Sequence, residues 1–358
     1  MNQSTYRGRK VAEIEDDDLL VTVCEQGGHI ARILHKATGI NPLWTPEWPS
    51  IEPSDYSVER HPEYGESNEA YLLAGLLGHS ICLDVFGAPT TSEAKAGIPV
   101  HGEACVTPYE MRGTDKSLTI RTNLPAAQLQ FSREIAMASN GVLRISETVK
   151  NLSATDRPIA WTQHVTLGAP FLERGQTHFL LNATRSRVID SSFNNGLGAQ
   201  QPAAEFDWPN CPRRDGKFDD LSLMTSDTVS GGFTAHLMNQ SSERAYFVAW
   251  SPRHEVSIGY VWRGADFPWL GRWEENHLRS WSPWNGNAFA LGLEFGVSPL
   301  VENRREMVTR GSMFGIPAFL WLEAKSSAHV NYCAFVRSAP SPPKSLQWDG
   351  RDSIKLLF

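Results

Sequence analysis

Three short segments of the sequence each place a histidine or a glutamate among mostly apolar neighbours. They are PVHGEA (99–104), WTQHVTLG (161–168) and LGLEFG (291–296), which contain His101, His164 and Glu294. Glu294 is the only charged residue between positions 288 and 297. Partial desolvation should therefore raise its pKa and make it a better base near neutral pH. One carboxylate and two imidazoles are suited to general acid–base chemistry. Each residue taken alone also fits an ordinary structural role, and the strand alternation leaves Glu294 free to lie on a solvated face.

Motifs for other chemistries are absent from the sequence. It contains neither GxGxxG nor GxxxxGK[ST], the glycine-rich motifs that cradle phosphates, and neither HExxH nor GxSxG. Its eleven histidines form no close pair with metal-ligand spacing. The five cysteines are scattered and form no CxxC pair, so we expect free buried thiols in a reducing compartment. The sequence predicts neither a metal site nor a cofactor.

Composition narrows the class of protein. The chain has 358 residues, of which 41% are hydrophobic and 20% charged, and a formal net charge of −7. This balance is typical of a globular protein, and without a basic face nucleic acid is a poor candidate partner. No apolar run reaches the roughly 18 residues that a membrane span needs. The first residues lack the apolar core of a secretory signal, so we expect a cytoplasmic protein that does not insert into membranes.

The elements that must position these side chains are predicted to be short strands. Strand-like runs occupy residues 19–23, 30–34, 117–122, 128–137, 142–151, 246–250, 257–262, 288–295 and 328–336. Asn140-Gly141 is a strong hairpin signal between two of them. The only helix signal, at 69–77, is weak because glycine interrupts it. Many strands separated by turn signals predict an all-β sandwich or barrel, and residues 190–217 are predicted to be a long loop of the kind that often serves function.

The three segments together resemble the aldose 1-epimerase, or galactose mutarotase-like, superfamily. His101-Gly102, His164 and Glu294 resemble, in order and rough spacing, its HG motif, its central histidine and its C-terminal glutamate. The segment GHSICLDVFGAP (78–89) resembles the one before the HG motif in the hexose-phosphate epimerase branch. The pattern Pro268, Leu270, Trp273 resembles a Pro-Leu-x-x-Trp segment that precedes the glutamate. The resemblance implies one galactose mutarotase-like β-supersandwich domain over residues 10–337, with a C-terminal tail at 338–358.

The resemblance also implies an isomerase that interconverts the anomers of a free aldose without a cofactor. Glu294 would act as base, His164 as acid, and His101 would orient the sugar. The substrate, a monosaccharide or related carbohydrate, would be held by residues near these motifs, namely His79, Trp161, Gln163, Trp250, Trp269 and Trp273, and Trp284 is a further aromatic candidate. His79 stands where the family often has an arginine, and no arginine or lysine is evident beside the motifs. The identity of the sugar, its phosphorylation and the oligomeric state are left open.

Two other functions remain compatible with the sequence. One is another carbohydrate-active enzyme on the same fold, such as a lyase or a glycosidase-like protein, since fold does not fix function. The other is a non-catalytic sugar-binding protein, for which clustered tryptophans would suffice. Tryptophan also fills the cores of large sandwiches, and composition alone favours that interpretation.

Overall fold

A computed structural model describes residues 3–138, 140–190, 196–350 and 353–358. In chain order, its strands are β1 Gln3–Tyr6, β2 Arg9–Glu15, β3 Leu19–Cys24, β4 Ile30–His35, β5 His79–Asp84, β6 Glu110–Gly113, β7 Ser117–Leu124, β8 Leu129–Ala138, β9 Val142–Asn151, β10 Arg157–Gly168, β11 His178–Leu181, β12 Ala183–Val188, β13 Glu205–Asp207, β14 Asn210–Pro212, β15 Phe218–Asp220, β16 Ser230–Met238, β17 Arg244–Ser251, β18 Val256–Arg263, β19 Trp269–Asn276, β20 Phe289–Gly296, β21 Ser312–Met313, β22 Ile316–Pro317, β23 Leu320–Leu322, β24 Ser327–Ser338, β25 Ser345–Trp348 and β26 Ile354–Leu357. The α-helices are α1 Ala70–Leu73, α2 Thr91–Lys95 and α3 Arg304–Arg310, and single 3₁₀ turns lie at Pro53–Asp55, Pro62–Tyr64 and Glu103–Cys105.

Most strands belong to two antiparallel sheets that pack face to face. The large sheet has the order β1-β2-β3-β4-β5-β10-β20-β19-β16-β12-β13, with β23 beside the first residues of β10. The small sheet has the order β11-β17-β18-β24-β9-β8-β7-β6. The predicted all-β sandwich is thus confirmed. The predicted hairpin at Asn140-Gly141 joins β8 to β9, which pair throughout.

Side-chain alternation explains why these strands bury one face between the sheets. In β9, Leu143, Ile145 and Val149 are buried, whereas Arg144 and Lys150 are exposed. Strand β10 differs because nearly all of it is buried on both faces. One face of it packs on the small sheet, and loops with the short helices α1 and α3 cover the other. The uncharged run around His164 follows from this central position.

A charged network crosses the space between the two sheets. Arg133 of β8 and Glu147 of β9 are fully buried, and Nε of Arg133 lies 2.6 Å from Oε1 of Glu147. Oε2 of Glu147 accepts hydrogen bonds from the Gln163 side-chain amide at 2.6 Å and from the Trp161 indole at 3.0 Å. These bonds tie β10 of the large sheet to β8 and β9 of the small one.

The chain segments outside the two sheets are also ordered in the described residues. Strands β25 and β26, in the predicted tail, form a hairpin whose Leu346, Ile354 and Leu356 pack on the outer face of the small sheet. The predicted loop at 190–217 contains β13 and β14, while its residues 191–195 lie outside the described part. The division into a 10–337 domain and a 338–358 tail stays a prediction.

The cysteines match a further expectation. All five cysteines are buried free thiols. None of the helices in the described part of the chain has the length and apolar character that crossing a bilayer requires. The cytoplasmic location stays a prediction.

Candidate active site

A row of three side chains from adjacent strands lines a cavity on the outer face of the large sheet. Ser80 of β5 is directly opposite His164 of β10, and His164 is directly opposite Glu294 of β20. All three line the same cavity, which measures about 130 Å³. One water needs roughly 10–15 Å³ on a comparable measure, so the cavity has room for a small organic molecule.

Glycines on the neighbouring strands make room for the Glu294 side chain. Gly271 of β19 is directly opposite Glu294, and a Cβ there would lie 3.5 Å from the Cβ of Glu294. A Cβ on Gly292, two residues before Glu294, would lie 2.5 Å from its Oε1. Larger residues at these positions would compete with the carboxylate for space. The sequence GLEFG therefore combines strand formation with an open surface around one buried acid.

His164 and Glu294 contact each other directly. Nε2 of His164 lies 3.1 Å from Oε1 of Glu294, and Nδ1 of His164 lies 3.0 Å from the hydroxyl of Thr166. The other carboxyl oxygen of Glu294, Oε2, is buried without a hydrogen-bond partner among the described residues. Thr166 fixes the imidazole, while one oxygen of the acid remains available to a ligand.

Burial shifts both groups towards their neutral forms. It raises the pKa of Glu294 well above its usual range and lowers the pKa of His164 to about 4. At a pH between these two pKa values, the pair holds one titratable proton. Because the two groups are only 3.1 Å apart, the proton can reside on either of them. The pair can accept a proton at one position while it gives a proton at another, which acid–base catalysis requires.

His101 reaches the same cavity from a loop. Its ring centroid is 5.7 Å from that of His164. Its Nδ1 accepts a hydrogen bond from the backbone N–H of Gly87 at 3.2 Å, which leaves the proton on Nε2. Burial, with smaller contributions from His164 and Arg279, lowers the pKa of His101 to about 3. His101 is therefore a neutral hydrogen-bond donor.

The glycine of the HG motif is what allows this loop to approach the sheet. Gly102 has φ +86°, and a Cβ at this position would lie only 1.9 Å from the carbonyl oxygen of Leu83. The backbone N–H of Leu83 donates to the carbonyl of His101 at 3.1 Å. Only glycine fits this close backbone approach, which sets the position of the preceding histidine.

Aromatic rings form one wall of the cavity. Trp273 and Trp284 line it, with ring centroids 6.0 Å apart, and Trp273 lies 5.9 Å from His164. Trp44 and Trp48 pack behind Trp284 at 6.1 and 5.0 Å. The Trp273 and Trp284 rings stand at 68° to each other, and the face of either ring can stack on the C–H face of a sugar.

Several cavity residues were not found from the sequence. They are Glu69, Ser80, Phe233 and Arg279, with apolar side chains of the segment 72–76. The guanidinium carbon of Arg279 is 4.6 Å from the centroid of the Trp284 ring, and its nitrogens lie 3.3 Å from Glu275 and 3.8 Å from Glu69. The expectation that no basic residue lies near the motifs is thereby corrected. The available signal was the position of Arg279 in the connection between β19 and β20, the two strands beside the site.

Three of the expected sugar contacts face the other side of the large sheet. They are His79, Trp161 and Gln163, and all three are fully buried between the two sheets. Each belongs to the charged network or lies at its edge. Nε2 of His79 lies 3.1 Å from Oε1 of Gln163, and its Nδ1 lies 3.1 Å from the hydroxyl of Tyr260. Successive strand residues point to opposite faces, so each neighbour of Ser80 or His164 in the sequence points away from the cavity.

Two more expected contacts lie elsewhere. Trp250 is in β17 of the small sheet, and its indole donates to the carbonyl of Ala339 at 2.8 Å. Trp269 is fully buried and donates to the carbonyl of Pro317 in the β21–β22 hairpin at 2.9 Å. The structure thus brings His101, His164, Glu294, Trp273 and Trp284 to one cavity, and it does not bring the other five residues there.

The donor set offers no metal centre. In the described part of the chain, no three His, Cys, Asp or Glu side chains are grouped as metal ligands would be. The cavity instead combines one acid–base pair, one neutral imidazole, one arginine–glutamate contact and an aromatic wall.

Solved structures with the same fold come from several sources. A Klebsiella pneumoniae protein provisionally assigned as an aldose 1-epimerase aligns with 93% of this chain and 80% of its own, with 16% identity and a TM-score of 0.67. A galactose mutarotase-like protein from Lactobacillus casei aligns over 91% of this chain and 100% of its own, at 15% identity and a TM-score of 0.59. An aldose epimerase homologue from C. elegans aligns over 93% and 100%, at 11% identity and a TM-score of 0.59.

These similarities confirm the predicted galactose mutarotase-like fold. Neither a family model nor a curated protein matches the sequence.

Proposed function

We propose that this chain interconverts the anomers of a free, neutral aldose by opening and closing the sugar ring. The observation that carries the proposal is the 3.1 Å contact between His164 and Glu294 on the floor of a sugar-sized cavity. The fold that the chain shares with mutarotase-like structures agrees with it. Neither a metal nor an organic cofactor enters the reaction.

The reaction needs one group that takes a proton and another that gives one. Glu294 removes the proton from the anomeric hydroxyl, and His164 protonates the ring oxygen. The bond between the anomeric carbon and the ring oxygen breaks, and an open-chain aldehyde forms. Rotation about the C1–C2 bond presents the other face of the aldehyde, and reversal of both proton transfers closes the ring as the other anomer. Each positioned transfer typically contributes about 10²–10⁴-fold.

The remaining cavity residues bind and orient the sugar. His101 donates a hydrogen bond from Nε2, because its Nδ1 is occupied by the Gly87 amide. Trp273 and Trp284 offer an apolar face to the ring, and Ser80 offers a hydroxyl beside His164. A sugar that bridges His164 and Glu294 would replace their direct contact.

Charge in the cavity favours a neutral substrate. Arg279 lies beside the carboxylates of Glu69 and Glu275. A phosphate group would meet Glu69 as well as the guanidinium. We therefore expect free aldoses to be converted better than their phosphate esters.

The test is anomer exchange measured by saturation-transfer NMR on D-glucose, D-galactose and D-glucose 6-phosphate. Glu294→Gln keeps the size of the side chain and removes the base, so it should lower the exchange rate by at least about 10²-fold while sugar binding stays largely intact. His164→Asn should behave similarly. The double variant should be little worse than either single one, because the two groups act as a unit.

Glu306→Gln is a suitable control, because Glu306 lies on α3 outside the cavity. Wild-type exchange in Glu294→Gln would contradict the mechanism. Binding of a neutral sugar without any exchange in the wild-type chain would favour the non-catalytic sugar-binding alternative.

A further inference from the structure

A second cleft lies on the opposite face of β19 from the candidate active site. Trp273 points into the active-site cavity, whereas its neighbours Arg272 and Glu274 line the second cleft, which measures about 270 Å³. The guanidinium carbon of Arg272 is 5.8 Å from the ring centroid of Phe179, which belongs to the small sheet. The cleft is therefore at the edge of the space between the two sheets, and the β14–β15 hairpin forms part of its rim.

Arg272 is buried in this cleft with unused hydrogen-bonding capacity. It is 1% exposed, and its Nη1 lies 2.9 Å from Oε2 of Glu274 as an ion pair. Nevertheless, Nε and Nη1 make no hydrogen bond of good geometry within the described residues. Buried donors of this kind are normally satisfied by protein, water or a ligand. This arrangement points to an occupant that can accept hydrogen bonds.

A buried acceptor lies in the same cleft. Oε1 of Gln200 has no hydrogen-bond partner among the described residues, and a Cβ on Gly232 would lie 2.4 Å from it. Gly232 is directly opposite Glu274 on the neighbouring strand, which brings the amide next to the ion pair. One occupant that both accepts hydrogen bonds from Arg272 and donates one to Gln200 would satisfy both residues, and hydroxyl groups do both.

The charges of the cleft argue against an anion. Two arginines line it, Arg213 and Arg272, against four carboxylates that belong to Asp219, Asp220, Asp227 and Glu274. Arg213 is already within 4 Å of Asp215, Asp219 and Asp227. A phosphate or a sugar acid would therefore enter a field of net negative sign. A neutral molecule rich in hydroxyl groups avoids this cost.

An exposed aromatic ring completes the cleft. Phe218 of β15 lines it and is 67% exposed. Asp219 and Asp220 line the same cleft. An exposed ring next to planar carboxylate and guanidinium groups can stack on the C–H face of a sugar while its hydroxyls are hydrogen-bonded.

We propose that this cleft is a second, non-catalytic binding site for a neutral carbohydrate unit. It is separate from the active-site cavity because the two lie on opposite faces of β19. Binding at this second site depends only on the cleft residues, so the proposal can be tested independently of anomer exchange.

The test uses methyl β-D-galactopyranoside and maltose as probes, with inorganic phosphate and putrescine as ionic comparators. The methyl glycoside has a blocked anomeric carbon and cannot be turned over. Binding is followed by ligand-observed NMR titration of the full chain. We expect two binding components for at least one of the two sugars in the wild-type chain, and loss of one of them, by at least about fivefold in affinity, in Phe218→Ala and in Gln200→Ala. Both variants should keep wild-type anomer exchange.

Trp321→Ala is the matched control, because Trp321 is also exposed and aromatic but lies outside the cleft. It should retain both components. If Phe218→Ala and Gln200→Ala bind both sugars as the wild type does, the proposal is overturned. It is also overturned if phosphate or putrescine responds to these substitutions and the sugars do not. If the wild-type chain catalyses no anomer exchange, the proposed function is refuted, but the proposal of a second binding site is unaffected.

Discussion

At the scale of single residues, the candidate chemistry depends on one proton shared by two buried groups. Glu294 is 2% exposed and His164 is 9% exposed, and burial moves their pKa values in opposite directions. Burial alone, without a neighbouring cation, therefore makes Glu294 a strong enough base to accept a proton near neutral pH. Because the two groups are coupled, the two steps of their titration belong to the pair and not to either residue alone.

The pH dependence of anomer exchange follows from these shifts. Below a pH of about 4 the pair takes up a second proton, and no base is left to accept the proton of the anomeric hydroxyl. The rate should therefore be flat around neutral pH, fall about tenfold per unit below pH 4, and fall again only where the raised pKa of Glu294 lets the pair lose its one proton.

The profile is measured as the pH dependence of kcat/KM, after subtraction of the spontaneous exchange at each pH. The stability of the fold across the range is checked by circular dichroism. An acidic limb centred near 6.5, the ordinary pKa of histidine, would contradict the buried, coupled pair.

At the scale of elements, strand parity decides which residues of β10 can reach a ligand. His164 faces the cavity and Thr166 contacts this histidine from the same side of the strand, while Trp161 and Gln163 face the small sheet. The HG loop then adds His101 from a different part of the chain, and the backbone approach at Gly102 fixes how near it comes. A shift of about 1 Å in a positioning group can cost about 10²-fold in rate.

The glycine of the HG motif can be tested with a matched partner in the same loop. Gly102→Ala should displace His101, because its Cβ would overlap the carbonyl of Leu83, and exchange should fall by at least about 10-fold. Gly97→Ala places the same methyl group at a similar φ of +93°, but no atom lies within 4 Å of its Cβ. Gly97→Ala should therefore introduce only backbone strain, and its exchange rate should stay close to that of the wild type.

Exchange rates and melting temperatures of the two variants are compared side by side. Equal loss of activity in both would mean that backbone strain alone accounts for the effect, and that the contact with Leu83 does not position His101.

At the scale of the whole molecule, the charged network between the sheets holds the floor of the cavity in place. Gln163 and His164 are neighbours on β10, so the bonds of Gln163 to Glu147 anchor the strand that carries His164. Burial alone would lower the pKa of Arg133, but the Glu147 carboxylate outweighs this effect and raises it. Removal of one partner of such a buried pair leaves an uncompensated charge and is strongly destabilising.

Glu147→Gln should therefore reduce the free energy of unfolding by about 3–5 kcal/mol. Glu134→Gln is the control, because Glu134 is on the strand next to β9 but is exposed. Its effect should stay within about 0.5 kcal/mol. Urea unfolding followed by tryptophan fluorescence measures both values. Equal stability of the two variants would mean that the Arg133–Glu147 pair adds nothing net to the fold.

Local sequence patterns were enough to predict the class of fold and to indicate three candidate acid–base residues. Alternation and turn signals act over neighbouring residues, which is why the strands around positions 19–23, 142–151 and 288–295 could be predicted. The resemblance of three short motifs then indicated His101, His164 and Glu294, and the structure brings all three to one cavity.

Which neighbours of those motifs face the cavity became known only from the folded structure. Where both faces of a strand are buried, as in β10, the sequence reads as apolar throughout and does not reveal which set of alternate residues faces outwards. Ser80 rather than His79 is therefore at the site, and Gln163 and Trp161 belong to the core. Arg279 and Glu69 meet because separate connections of the large sheet come together over one face, and no local pattern encodes that encounter. Parity and long-range loop contacts are properties of the assembled sheets, so they are fixed only when the chain folds.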